Sequence, residues 1–250
     1  MKTLILFDVD GTLTEPRLKI EQFMTDYLKT LKNVDIGIVG GSDLVKQKEQ
    51  LGEDTLNLFK YIFSENGLVG FQEGVLFHEN SFVKLLGEQK MKHLINLCLG
   101  ALINADPPKK RGTFIEHRTG MLNISPVGRS CSQEEREEFY KYDNINKIRN
   151  KMINEIKSKW DVYKYENPEM NVVDISFSIG GQISIDIFPK GWDKTYCLQF
   201  VKDKYDKIIF IGDKTYEGGN DYEIFINDIT ESYTTTGPKN TIEILNGIKI

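Results

Sequence analysis

The chain has 250 residues, 40% of them hydrophobic and 28% charged, which suits one large α/β domain or a core carrying an inserted second domain. That composition excludes disordered and fibrous classes, and no apolar run approaches the roughly 18–20 residues needed to span a bilayer. Thirty-seven acidic against 32 basic side chains give a formal charge of −5; this disfavours nucleic acid and acidic membranes as partners, so a small anion must be caught by local arginines.

The run Thr3 to Phe7, stopped by Asp8-Val9-Asp10-Gly11-Thr12, reads as a buried strand entering a loop. Between Lys19 and Asn33 the spacing of Ile20, Phe23, Met24, Tyr27, Leu28 and Leu31 predicts an amphipathic helix. Ile36 to Val39 is the next strand, a helix begins near Asp43, and Tyr61 to Gly67 is a third strand and turn. Strands alternating with helices imply a parallel sheet covered on both faces, with ligands at the carboxyl ends of its strands.

The middle of the chain is patterned differently. A helix is predicted over about Glu88 to Asn104, then two strand-like pieces, Thr113 to Arg118 and Met121 to Pro126. Ser132 and Glu135 form a capping-box pattern opening a long helix toward Trp160. The polar stretch Asp161 to Asn171 reads as a surface loop, and two strands joined at Gly180-Gly181 read as a hairpin. The parallel pattern returns after Trp192 with a helix, the strand Ile208 to Asp213, a short helix and a terminal helix led by Pro238. The expected organisation is a split parallel-sheet core, about 1–83 and 191–250. An α+β cap with an antiparallel sheet is inserted at about 84–190.

Chemistry concentrates at the strand ends. Asp8 and Asp10 leave the end of a core strand, where burying two carboxylates without a counter-charge is costly. A magnesium ion is the economical counter-charge, since it takes oxygen ligands. Gly11 and Thr12 supply donors for phosphate oxygens. Ser42, Lys194 and Asp213 each follow an apolar strand and could complete such a site; singly they read more readily as a helix cap, a surface lysine and a turn acid, and only their order together favours the site. His78, His93 and His117 show no metal spacing, and Cys98, Cys131 and Cys197 form neither a disulfide framework nor a zinc motif. A reducing cytosol is therefore the expected compartment, and the opening MKTLILFD lacks a signal peptide's long apolar segment.

The segments FDVDGTLT, VGGSD, GWDK and GDKTYEGGND resemble the four ordered motifs of the haloacid-dehalogenase-like phosphotransferases. Longer blocks, PKKRGTFIEHRTGMLNISPVGRSCSQEER and FSIGGQISIDIFPKGWDK, resemble the eukaryotic-type phosphomannomutases within that superfamily. The resemblance implies a Rossmann-like core, a cap serving substrate specificity, and a cytosolic homodimer joined through the cap. It also implies interconversion of mannose 6-phosphate and mannose 1-phosphate, primed by a hexose 1,6-bisphosphate and feeding GDP-mannose synthesis; glucose phosphates are possible further substrates. Asp8 would be the nucleophile and Asp10 the general acid and base, with Lys194 and Ser42 assisting. Magnesium would be held by Asp8, the Asp10 carbonyl and Asp213, with Asn220 and Asp221 as outer supports. Arg17, Arg118, Arg129, Arg136, Ser184 and Asp186 would bind substrate. A second cation would sit at the Phe225 carbonyl, Asn227 and Thr230, where Asn227 replaces the usual aspartate and should weaken divalent binding. Leu97, Leu99 and Ile103 could furnish the apolar dimer contact. Two alternatives share the motifs: a phosphosugar phosphatase using Asp8, and a phosphosugar-binding protein with an inactive site.

Overall fold

A computed structural model describes residues 2–248 and divides the chain into two compact units, Met1–Glu79 with Gly191–Ile250, and Asn80–Lys190. In chain order the first unit begins with β1 (Thr3–Phe7), α1 (Gln22–Leu28), β2 (Asp35–Val39), α2 (Leu44–Leu51), α3 (Glu53–Leu56), β3 (Tyr61–Ser64), β4 (Val69–Gln72) and β5 (Val75–Glu79). The second unit contains α4 (Phe82–Leu86), α5 (Glu88–Asn104), β6 (Ile115–His117), β7 (Leu122–Ile124), α6 (Gln133–Asn146), α7 (Ile148–Glu166), β8 (Ile175–Gly180) and β9 (Ser184–Pro189). The chain then returns to the first unit with a 3-10 helix (Lys194–Phe200), β10 (Lys207–Gly212), α8 (Tyr222–Phe225), β11 (Thr230–Thr234) and α9 (Pro238–Gly247). Among the described residues no helix is long and apolar enough to cross a membrane.

In the first unit seven strands run in the order β11-β10-β1-β2-β3-β4-β5. The pairings from β11 to β3 are parallel, and the β4–β5 hairpin closes one edge antiparallel. β1 is apolar throughout because both of its faces are covered. Ile5 and Phe7 join a core with α1, α3 and α9, while Leu4 and Leu6 join Cys197, Leu198 and Ile224 on the other face. Chain direction away from β1 reverses between β2 and β10, so the ligand crevice of an open parallel sheet falls beside the ends of those three strands.

The second unit is a four-stranded antiparallel sheet, β6-β7-β9-β8, with three longer helices, α5, α6 and α7. α6 and α7 meet at a buried ion pair. Lys147 breaks α6 from α7 in the left-handed region (φ 54°). Across that break Arg149 Nε donates to Asp143 Oδ2 at 2.6 Å and the Arg149 backbone N–H donates to Asp143 Oδ1 at 2.9 Å. The same guanidinium donates to the carbonyls of Gly181 and Ser184, tying the helix joint to the hairpin. Both side chains are at most 4% exposed, so Arg149→Met, which strands Asp143, should cost about 3–5 kcal/mol. Asp143→Asn/Arg149→Met should recover part of that loss; urea denaturation of the three proteins measures it.

Several expected elements are corrected. The stretch 161–171 is not a loop: α7 continues to Glu166 and a 3-10 turn spans Pro168–Met170. Its polar composition is the solvent side of a helix whose other side carries Trp160, 1% exposed, with Nε1 donating to the Val173 carbonyl. The first helix is seven residues rather than the full 19–33 stretch, although Ile20, Phe23, Tyr27 and Leu31 still pack on the core. The β4–β5 hairpin and β11 were not anticipated. The hairpin turns at Glu73-Gly74, both at positive φ (51° and 77°). β11 (TESYT) is too polar to read as a strand because it is an edge.

Candidate active site

The loop after β1 is folded around one carbonyl. Val9 O accepts the N–H groups of Thr12, Leu13 and Thr14, and Asp8 N–H donates to Ile211 O at 2.9 Å. Gly11 takes φ 78°, and a Cβ there would lie 2.4 Å from Asp213 Oδ2. Glycine is thus required both by the turn and by the close approach of the acid that follows β10.

Asp8 (4% exposed) and Asp221 (fully buried) both accept from the Lys194 ammonium, which is 1% exposed. Asp8, Asp213 and Asp221 each offer an oxygen within 4.8 Å of the others. Three carboxylates share one ammonium, so the cluster carries more acidic than basic groups. The consequence is visible in Asp8: burial, only partly offset by Lys194 and reinforced by Asp221, pushes its carboxyl up to about 7. Burial alone would lower Lys194, but Asp221 and Asp8 together outweigh it and hold the ammonium charged. Asp221 spends its second oxygen on the Lys214 N–H at 3.0 Å. Asp213 Oδ1, in contrast, is buried without a partner. An orphaned carboxylate oxygen in a cluster with more acids than cations fits a hard divalent cation such as magnesium.

Asp10 is half-buried and differently held. Its Oδ1 accepts the Arg17 backbone N–H and Gln50 Nε2, each at 2.8 Å, so its second oxygen is left for proton exchange. A cleft of about 140 Å³ is lined by Asp8, Asp10, Gly41, Ser42, Gln50 and Asn220, among others. Ser42 is not the helix cap: Asp43 caps α2, accepting from Lys46 N–H. The Ser42 and Gly40 carbonyls accept from Glu65 and Asn66, both in the left-handed region, which pins this loop to the turn after β3.

In the second unit, β6, β7 and β9 bring Glu116, Asn123 and Asp186 into one row across the sheet. Asn123, 3% exposed, donates to Asp186 Oδ1 at 2.6 Å and accepts from Arg129. Arg118 Nε donates to Glu116 Oε2 at 2.8 Å, and Arg129 lies 3.5 Å from the same oxygen. Burial raises the Asp186 carboxyl, with Asn123, Arg118 and Arg129 opposing. Two guanidiniums therefore converge beside Asp186, with Glu116 as their present anion. Ser184 is buried on β9, two residues from Asp186 and opposite in facing to Ile185. Arg136 is half-buried on α6, outside this bonded row, and Arg17 belongs to the first unit. Sequence reasoning missed Glu116, Asn123, Gln47 and Gln50. Asn123 and Gln50 signal themselves only by being polar at positions that strand and helix periodicity would bury.

The loop after α8 is already bonded to itself. Asn227 Oδ1 accepts the Ile229 N–H, and the Thr230 hydroxyl donates to the carbonyls of Ile224 and Asn227. Phe225, Asn227 and Thr230 therefore share one short, part-buried loop.

Comparison with known proteins follows the same lines. A model of the eukaryotic phosphomannomutase family matches residues 23–249. A phosphomannomutase of Galdieria sulphuraria is 53% identical over 96% of this chain and 92% of its own. Phosphomannomutase 1 of Dictyostelium discoideum is 52% identical over 98% of this chain and 95% of its own. A haloacid dehalogenase-like hydrolase of Bacteroides thetaiotaomicron shares the fold, with a TM-score of 0.58 at 14% identity over all of both chains. With identity of this extent to its relatives, and with the acidic triad after β1 and β10 in place, the chain belongs to the eukaryotic phosphomannomutase family.

Proposed function

We propose that this chain is a magnesium-dependent phosphomannomutase, interconverting mannose 6-phosphate and mannose 1-phosphate through an aspartyl phosphate and a hexose 1,6-bisphosphate. The observation that carries the reading is the buried Asp8 carboxylate, fixed through one oxygen by Lys194 at the end of β1. Fixing one oxygen leaves the other to attack phosphorus. The phosphorus–sugar oxygen bond breaks as the phosphorus–Asp8 bond forms, and the sugar oxygen leaves with a proton from Asp10. In the return step Asp10 takes a proton from the accepting hydroxyl, and that oxygen displaces Asp8 from phosphorus. Magnesium held by Asp8, Asp213 and the Asp10 carbonyl would supply charge neutralisation to the phosphoryl oxygens. Lys194 keeps its charge throughout because two carboxylates hold its proton.

A mutase must also grip the idle phosphate. Arg118 and Arg129, pre-oriented by Glu116 and Asn123, are suited to that by forked, charge-assisted bonds; Arg136, Arg17 and Ser184 add to substrate binding. Asp186 suits a sugar hydroxyl. Arg129→Ala should lower mutase turnover about 10- to 100-fold. It should leave phosphorylation of Asp8 by acetyl phosphate within about threefold, since that donor has no second phosphate. The activity would serve GDP-mannose synthesis in the cytoplasm, and α5, exposing Leu99 and Ile103 (47% and 78%), would furnish the apolar contact of a homodimer.

Phosphorus NMR of protein, Mg²⁺, glucose 1,6-bisphosphate and mannose 1-phosphate tests the whole reading. Mannose 6-phosphate should accumulate faster than inorganic phosphate. Phosphate without the isomer would make the chain a phosphosugar phosphatase.

A further inference from the structure

Among the described residues of the Asp8 cleft, the transfer chemistry leaves a buried amide donor unused. Gln47 on α2 is 1% exposed and lines the cleft together with Asp8, Gly40, Gly41 and Ser42. Its carboxamide is held at one end only. The Ser64 hydroxyl donates to Oε1 at 2.6 Å, which turns Nε2 toward the Gly40 backbone, 3.3 Å from where a Cβ on Gly40 would stand. Nε2 itself has no hydrogen-bond partner. A buried amide donor left unpaired costs the full desolvation of its N–H, and folded proteins keep few of them. Replacing the Gln47–Ser64 pair by apolar side chains would avoid that cost, so its presence at the cleft wall calls for an acceptor that arrives with the ligand. An amide N–H can only donate. The ligand atom must therefore be an acceptor oxygen, and a phosphoryl group presents three.

We infer that Gln47 Nε2 donates to a non-bridging oxygen of the phosphoryl group held beside Ser42, making Gln47 a binding residue for the group in transit. The inference rests on the phosphoryl-transfer reading above. Gly40 serves it by leaving the space next to Nε2 without a side chain, and the Ser64 bond serves it by fixing which end of the amide lies beside Gly40.

The test uses three full-length variants, Gln47→Met, Gln47→Glu and Gln47→Met/Ser64→Ala, with inorganic phosphate as the probe. Phosphate inhibition of mutase turnover and the phosphate-induced rise in melting temperature are both read. The double variant removes both partners of the buried bond, so it should melt at or above the wild-type temperature. Its phosphate inhibition constant should rise about tenfold, the loss of one hydrogen bond to a charged group. Gln47→Glu should lose more, because it sets a carboxylate against the phosphoryl oxygens. Phosphate affinity and turnover within twofold of wild type in the double variant overturn the inference, as does a loss confined to variants that melt below wild type. Failure of the wild-type protein to bind phosphate or isomerise mannose 1-phosphate is a separate outcome. It overturns the phosphoryl-transfer reading and this inference with it.

Discussion

Replacing Asp8 with asparagine is expected to reduce mutase turnover by about 10⁴-fold or more and to abolish the acid-stable, hydroxylamine-sensitive phosphoenzyme. An amide oxygen cannot form the acyl phosphate, and each neighbouring acid is committed elsewhere, Asp213 to the cation in the proposed reading. Asp221 is spent on Lys194 and Lys214, and Asp10 is tied to Gln50 and Arg17. The same variant should be more stable than the parent when divalent cations are chelated. The Asp8 carboxyl is raised from 3.8 to about 7, so between those values folding takes up a proton. The cost of burying the ionised form is absent below pH 4 and fully present above pH 7. At pH 8 in EDTA, Asp8→Asn should therefore melt higher than wild type, by about 5 °C, and the gap should close toward pH 4. Adding Mg²⁺ should raise the wild-type melting temperature and move the variant much less. A variant that melts lower at pH 8 in EDTA would show that the charge imbalance at Asp8 has been misjudged.

Lys194→Met should have the opposite signature, losing activity and stability together. The ammonium is 1% exposed and shared by Asp8 and Asp221. Removing it leaves both carboxylates buried with no hydrogen-bonded cation, which typically costs about 3–5 kcal/mol. Turnover should fall by about 10³-fold, because nothing then holds the nucleophile's first oxygen or screens the approach of an anionic phosphate. Adding Asp221→Asn to Lys194→Met should recover part of the stability and none of the turnover. Urea denaturation and steady-state kinetics on the single and double variants separate the two. Recovery of activity in the double variant would mean that Lys194 acts only by neutralising Asp221.

The elements that read correctly from the chain share a local physical signal. α5 runs over Glu88–Asn104 as its apolar spacing predicts, and Ser132 with Glu135 closes the capping box at the start of α6. β1, β2 and β10 announce themselves because both of their faces are buried. The elements that misread lack such a signal. A seven-residue α1 and a polar edge strand β11 owe their form to what packs beside them. The turn from α7 to Met170 is polar because it faces water and ordered because Trp160 is buried and Tyr163 stacks on His93.

By itself the sequence determined the kind of chemistry: two acids leaving an apolar strand, a lysine and a third acid after later elements, and arginines in the inserted segment. Strand ends are local, and a parallel sheet sends each of them to the same edge. Only the tertiary structure decided how charge is shared there. It set Lys194 between Asp8 and Asp221, left Asp213 Oδ1 without a partner, gave Gln50 to Asp10, and buried Gln47 with one bare N–H. These partnerships join residues up to 186 positions apart. Desolvation and pairing in the folded interior fix them, and no local pattern in the chain encodes either.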